Sequence, residues 1–298
     1  MSQKHENENI KGIMDIKKRS QWADIWHHFK KNKAAIVGMM LIVLFVCLAL
    51  FAPLIGDYQD DALKMNIRER LQSPSADHWF GTDEFGRDIF IRIVYGTRIS
   101  LFVGIISVSI ALSIGGFLGS IAGYYGGKID NAIMRVLDVI LAIPAILLAI
   151  TIVAALGASI INLMIAIGIA NIPGFARVVR AAILSVKDQE YIEAAKAIGA
   201  KDHTIILKHV LPNSMAPIIV FSTLKVATAI MATASLSFIG LGVQPPTPEW
   251  GSMLAGGRAY IRDYMYIVLY PGLAIVLSVL SLNLIGDGLR DALDPKLK

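Results

Sequence analysis

Cysteine is nearly missing from this chain, and charge is scarce. A single thiol, Cys47, stands among 298 residues. That excludes an intrachain disulfide and any cluster of cysteine metal ligands. Cys47 lies in an apolar run, where free cysteines are usually buried and inert, so a buried thiol is expected. Asp, Glu, Lys and Arg make up only 17% of the residues against 55% hydrophobic ones, whereas a soluble domain carries about 25% charge. The alternating ten-residue pattern of a membrane β-barrel is absent as well.

Catalytic signatures are also missing. The chain has no His-Glu-x-x-His, no Gly-x-Ser-x-Gly and no Gly-x-x-x-x-Gly-Lys-Ser/Thr. Zinc-protease and hydrolase chemistry therefore have no footing, and ATP cannot be held through a P-loop. His78, Asp83, Glu84 and Asp88 do gather in one short segment. Their spacing ties no ligand set to one helix face, so no metal is assigned. An ion-driven secondary transporter, the rival reading from another class, would bury acids or histidines as a relay. Five of the six long apolar runs contain no acid, and in the remaining one Asp138 is close to the cytoplasmic end.

What is present is hydrocarbon-length apolar sequence. Mean hydropathy is +0.60, and the charges cluster so as to leave windows long enough to cross ~30 Å of hydrocarbon as helices. An all-α polytopic membrane protein is expected, with the lipid bilayer and not nucleic acid as its surroundings. Six spans are predicted: 34–56, 98–123, 131–156, 160–182, 215–241 and 265–286. About thirty polar residues precede the first run, so it should remain as an anchor rather than be cleaved as a signal peptide. Residues 1–19 are polar and expected to be poorly ordered. Trp22, Ile25, Trp26 and Phe29 then share one helix face, with Ser20 as a candidate cap. Lys30, Lys31 and Lys33 follow, which suits a helix lying in the membrane interface or one packed on a partner subunit.

Charge orients the chain. With the N-terminus inside, the inner segments hold eight Lys or Arg in 1–33, two at Lys128 and Arg135, six in 177–208 and three in 290–298. Those nineteen face seven on the other side, five in 57–97 plus Arg258 and Arg262. Positive residues favour the cytoplasm, so both termini are expected there. The expected organisation is a cytoplasmic N-terminal segment over 1–33, the first span over 34–56 and an extracytoplasmic segment over 57–97. A core over 98–286 with a cytoplasmic loop at 185–213 follows, then a cytoplasmic tail over 287–298.

Within the core, Ala111, Gly115, Gly119, Gly123 and Gly127 recur every four residues, a stripe that lets another helix approach closely. A packing seam is the first reading and a flexible gate the second. Pro144, Pro173 with Gly174, and Pro271 are expected to interrupt their spans, which favours a transport pathway over a simple anchor. The fifth span carries Lys225. Counted from Pro217 it lies about eight residues, or ~12 Å, deep. It either snorkels to the interface or faces a solvated pathway.

The loop between the fourth and fifth spans is polar and basic. Leu184 to Ile198 reads as a helix with Ile192, Ala195 and Ile198 toward one side. Gly199 suits a left-handed stop, Asp202 can cap a second helix to about His209, and Pro212 ends the unit. A rigid cytoplasmic lever is the reading, something an external motor could grip.

These residues carry a resemblance. Glu193-Ala194-Ala195, three residues, Gly199, and later Leu211-Pro212 resemble the EAA loop of ABC importer permeases, with His209 where many such permeases carry isoleucine. Phe80-Gly-Thr-Asp-Glu-Phe-Gly-Arg-Asp88 with Tyr95-Gly-Thr-Arg-Ile-Ser-Leu101 is similar to the pre-span segment of dipeptide, oligopeptide and nickel permeases. Ala234 to Leu254 is similar to that group's long fifth-loop signature. Nearly the whole chain is covered, from Trp22 to Asp294-Pro295. The C-type permease subunit of the peptide/nickel family is the match.

The resemblance implies a type I importer permease fold and a non-catalytic subunit carrying no cofactor of its own. A B-type permease would complete the pore as a heterodimer. Two cytoplasmic ABC ATPase subunits would bind ATP and magnesium, and an extracytoplasmic substrate-binding protein would deliver cargo. It also implies that Glu193, Ala194, Ala195, Gly199, Leu211 and Pro212 belong to the loop coupling ATP hydrolysis to transport. Cargo is expected to be di- or oligopeptides, with nickel or glutathione as the alternatives within the family. The cell membrane of a bacterium or archaeon is the expected location.

Overall fold

The computed structural model describes residues 21–293. Ser20 as a cap and the expected looseness of residues 1–19 lie outside them, as does the side chain of Trp22. Among the described residues there is no strand, only an isolated bridge between Thr82 and Asp88.

The chain opens with α1 (Gln21–Lys31) and, after Asn32, α2 (Lys33–Ile55). The Asn32 side chain caps α2 by accepting from the amide of Ala35 at 3.1 Å. Then come α3 (Ile89–Tyr125), α4 (Gly127–Leu141), α5 (Ala145–Leu156) and α6 (Ile160–Leu184). Among the described residues five helices are long and apolar enough to span: α2, α3, α6, α9 (Met215–Phe238) and α11 (Tyr266–Leu293). Between α6 and α9 lie the short helices α7 (Glu190–Ala197) and α8 (Asp202–Ile205). Before α11 comes α10 (Trp250–Gly257).

The predicted third span is not one rod. α4 and α5 meet at a bend of 80°, at Pro144. The pyrrolidine ring cannot donate the next helical bond and pushes the residue before it toward extended backbone. Counted as one span, the bent pair makes six candidate crossings, the third of them broken. Pro173 and Pro271, by contrast, interrupt nothing, since α6 and α11 run straight through them. Pro173 is buried between neighbouring helices, where packing offsets the lost bond.

Two boundaries also differ from expectation. α3 begins at Ile89 rather than near residue 98, and its 37 residues make about 55 Å of helix. Its first turns therefore stand clear of ~30 Å of hydrocarbon. α11 continues to Leu293, so most of the expected tail is helix.

The glycine stripe is a seam between α3 and α6. A Cβ on Gly115, Gly119 or Gly123 would lie 2.6, 2.4 or 3.0 Å from the carbonyl oxygen of Ile172, Ala176 or Arg180. Both series advance by four, so the two backbones stay in contact over successive turns. Gly127 is not part of it; it starts α4 with φ +54° and open space around it. Asp130 forms a bidentate pair with Arg180, and Asp138 meets Arg177 at 2.6 Å, tying α4 to α6.

α1 turns Phe29 inward against Ala35 and Ala292, so one face of it packs on the end of α11. Trp26 stays exposed, stacked 5.8 Å from Phe29 with the Lys30 amine over its ring. Cys47 is exposed, not buried. α2 presents much of its apolar surface outward, where lipid takes the place of a protein core.

The residues that brought His and acids together fold into a cap ahead of α3. Asp83 accepts from the amides of Phe85 and Arg87 and from Arg87 Nε at 2.7–3.0 Å. Asp88 caps α3 through the amide of Ile91 at 2.9 Å and meets His78 Nδ1 at 2.8 Å. His78 and these acids are thus engaged in holding a turn. Across from them, Glu249 is fully buried and caps α10 through the amides of Gly251 and Ser252. Burial still pushes its carboxyl above the ordinary range. Trp250, also fully buried, donates its indole N–H to the carbonyl of Ile93 at 3.2 Å.

Candidate coupling site and pathway

The loop between α6 and α9 is a built unit, assembled differently from its sequence pattern. α6 stops at Leu184 and α7 starts at Glu190, so the expected helix from Leu184 to Ile198 is two pieces joined by a turn. α7 ends at Gly199, whose φ is +83°. The Gly199 amide bonds to Lys196 O at 2.9 Å and the Ala200 amide to Ala195 O at 3.1 Å. This is the paired 5→2 and 6→1 closure of a Schellman stop, which needs a left-handed residue at that position.

Asp202 is the first residue of α8 rather than its cap. Its carboxylate instead accepts from the Tyr124 hydroxyl at 2.9 Å, while Lys196 lies over the Tyr124 ring. The unit is thereby fastened to the end of α3. After α8 the backbone continues through a wider turn over Ile206–Val210 and a last turn over Leu211–Asn213. Pro212 thus sits inside the final turn, and the break falls at Ser214 instead.

Inner and outer faces are clearly divided. Ile192, Ala195, Ile205 and Val210 pack with Val179, Ile183 and Ile218 from α6 and α9. Ala195 is therefore buried in that cluster, not part of an outward face. Glu193, Ala194, Gly199 and Pro212 are exposed, and Leu211 is partly buried against the cluster. Ile198, expected to turn inward, is 85% exposed; Leu207 is 62% and Tyr191 44% exposed. Ile198 keeps a helix-like φ of −83°, and six residues on from Ile192 it lies about 120° round the helix, off the buried stripe. Nothing in the sequence separated Leu207 from the buried Ile205 and Val210 on either side of it.

Lys225 lies on α9 beside a groove of about 210 Å³. α5, α6 and α9 line it through Ala149, Ala170, Asn171 and Thr228 among others. The amine sits 5.3 Å from the centre of the Phe221 ring. No carboxylate pairs with Lys225 among the described residues.

Comparison with known proteins places this geometry. Residues 115–298 match the family described as binding-protein-dependent transport system inner membrane component. Residues 20–74 match the N-terminal transmembrane domain of oligopeptide transport permease C. The chain is 54% identical to a dipeptide transport system permease protein of Alkalihalophilus pseudofirmus over 94% of its own length and 91% of the relative's. It is 46% identical to a glutathione transport system permease protein of Pectobacterium atrosepticum, over 96% and 95%. In fold it is similar to a chain of the MetNI methionine ABC transporter, with a TM-score of 0.56 at 19% identity. That match covers 68% of this chain and 96% of the other.

Proposed function

We propose that this chain, which belongs to the family of binding-protein-dependent transport system inner membrane components as a C-type permease subunit of an ABC importer, lines the membrane path of di- or oligopeptides and is driven from the cytoplasm through residues 190–213. Membership implies ATPase and substrate-binding partners. A B-type permease as the other half of the pore, two ATPase subunits holding ATP and magnesium, and cytoplasmic termini complete the proposal. The chain itself then carries no catalytic group and no cofactor.

One observation carries the coupling role. The inner face of the unit is fixed to α3, α6 and α9, yet Tyr191, Ile198 and Leu207 stand outward among charged residues. On a face turned to the cytoplasm lipid cannot cover them, and apolar side chains grouped on a polar surface mark a protein interface. Glu193 beside them offers a carboxylate to a basic group on the ATPase, and Ala194 leaves the approach unobstructed.

Relatives named for dipeptides and for glutathione both support a peptide-like cargo. Nickel fits less well, because the Lys225 cation in the groove would repel a divalent cation.

The docking reading is tested with Ile198→Asp combined with Leu207→Asp in the full complex. The permease pair should insert normally and lose its ATPase subunits on purification. Undiminished ATPase recruitment would remove the proposed docking face.

A further inference from the structure

Resting on the peptide-permease reading, we infer that the groove around Lys225 is a carboxylate seat that holds the C-terminal end of a passing peptide. Four features of the groove converge on an anion. Lys225 is the eleventh of 24 residues in α9, about 15 Å from its start, so its charge lies at membrane depth. A cation there requires an opposite charge or water, since leaving it unpaired in hydrocarbon costs at least ~2.5 kcal/mol. The acids of the neighbouring α4 do not supply that charge, because Asp130 and Asp138 are already held by Arg180 and Arg177. Among the described residues, α5, α6 and α9 contain no Asp or Glu at all.

Asn171 and Thr228 belong to the same lining as Lys225. The Asn171 amide N–H₂ donates to Ile167 O at 2.9 Å, which leaves a second N–H, and the Thr228 hydroxyl is committed to Lys225 O. The third contribution is the break at Pro144. α5 begins with no side-chain cap, and its first residues, Ala145 and Ile146, line the groove. The amides of an uncapped first turn carry partial positive charge. Broken helices of transporters use such starts to meet anionic groups of a substrate.

Size is the fourth. Alanines at 145, 149, 170 and 232 keep the lining small. About 210 Å³ admits a carboxylate with its terminal residue but not a helix.

The test uses the assembled complex in proteoliposomes with its binding protein saturated, in a Cys47→Ser background. Uptake of a peptide with a free C-terminus is compared with that of its C-terminal amide. The wild type should favour the free acid. Lys225→Gln should lower free-acid uptake about tenfold, the scale of one lost charge-assisted hydrogen bond, and leave the amide unchanged. Lys225→Cys should regain the preference after reaction with a cationic aminoethyl thiosulfonate, and not with an anionic sulfonatoethyl one.

Equal loss for both peptides in Lys225→Gln would overturn the seat in favour of an ion pair with another subunit. No loss for either would overturn it in favour of a snorkelling lysine. Failure of the permease reading itself would show differently, as absent uptake in the unsubstituted complex.

Discussion

Replacing Gly199 by valine isolates the lever from the membrane fold. A Cβ at residue 199 would meet no atom within 4 Å, so the branch point creates no clash and no buried contact is lost. The whole penalty is conformational. At φ +83° an L-residue suffers a cost of roughly 1–2 kcal/mol from its own Cβ, and β-branching adds to it. Relief requires leaving the left-handed region, which breaks the bonds from Gly199 to Lys196 and from Ala200 to Ala195, each worth about 1 kcal/mol net.

Either way the end of α7 loosens by about 2–3 kcal/mol on these figures, while the span helices are untouched. Driving a two-state gate from 1:99 to 99:1 takes ~5.5 kcal/mol of differential interaction, so a linker that yields at half that value passes the bias on poorly. Substrate-stimulated ATP hydrolysis and uptake should therefore fall together in Gly199→Val, with assembly normal by size-exclusion chromatography. Asparagine tolerates the left-handed region better than alanine or valine, so Gly199→Asn should be mildest and Gly199→Ala intermediate. Normal stimulation in a fully assembled Gly199→Val complex would show that this stop transmits nothing.

Two further outcomes are expected. With cytoplasmic termini, a cysteine at Gln59 in a Cys47→Ser background should react with a membrane-impermeant maleimide on intact cells, and one at Lys201 should not; the reverse pattern would invert the topology. Gly119→Val should abolish a stable permease even though the residue touches no cargo, because its Cβ would lie 2.4 Å from the Ala176 carbonyl oxygen and neither backbone can withdraw. Wild-type yield and thermal stability of Gly119→Val in detergent would contradict that seam.

How much of this was legible beforehand depended on whether the controlling interaction was local. The six crossings follow from hydropathy and the glycine seam from spacing, because length and backbone approach are properties of one helix at a time. Gly199 was readable for the same reason, a single residue whose φ decides a helix end. Proline was readable in position but not in consequence. Pro144 bends its span by 80°, whereas Pro173 is carried inside α6, and the difference lies in the neighbours packed around each. The nine helical residues of α3 ahead of 98 were not readable as helix, because Arg92 looks water-facing, yet it is buried beside Asp83.

The misreadings of Cys47 and Ile198 share a deeper cause. Apolar sequence signals exclusion from water, and in a soluble domain exclusion from water means the core. In a membrane subunit three environments satisfy the same requirement: the helix bundle, the lipid and the surface of another subunit. Cys47 on α2 is exposed on an apolar helix, which leaves it the second or the third. Ile198 follows a helix that starts at Glu190 and precedes Lys201, in a segment too polar for the hydrocarbon, so the second is closed to it. Its 85% exposure excludes the first. Water or another protein remains, and on the proposed function Ile198 is expected to meet the motor together with the exposed Tyr191 and Leu207.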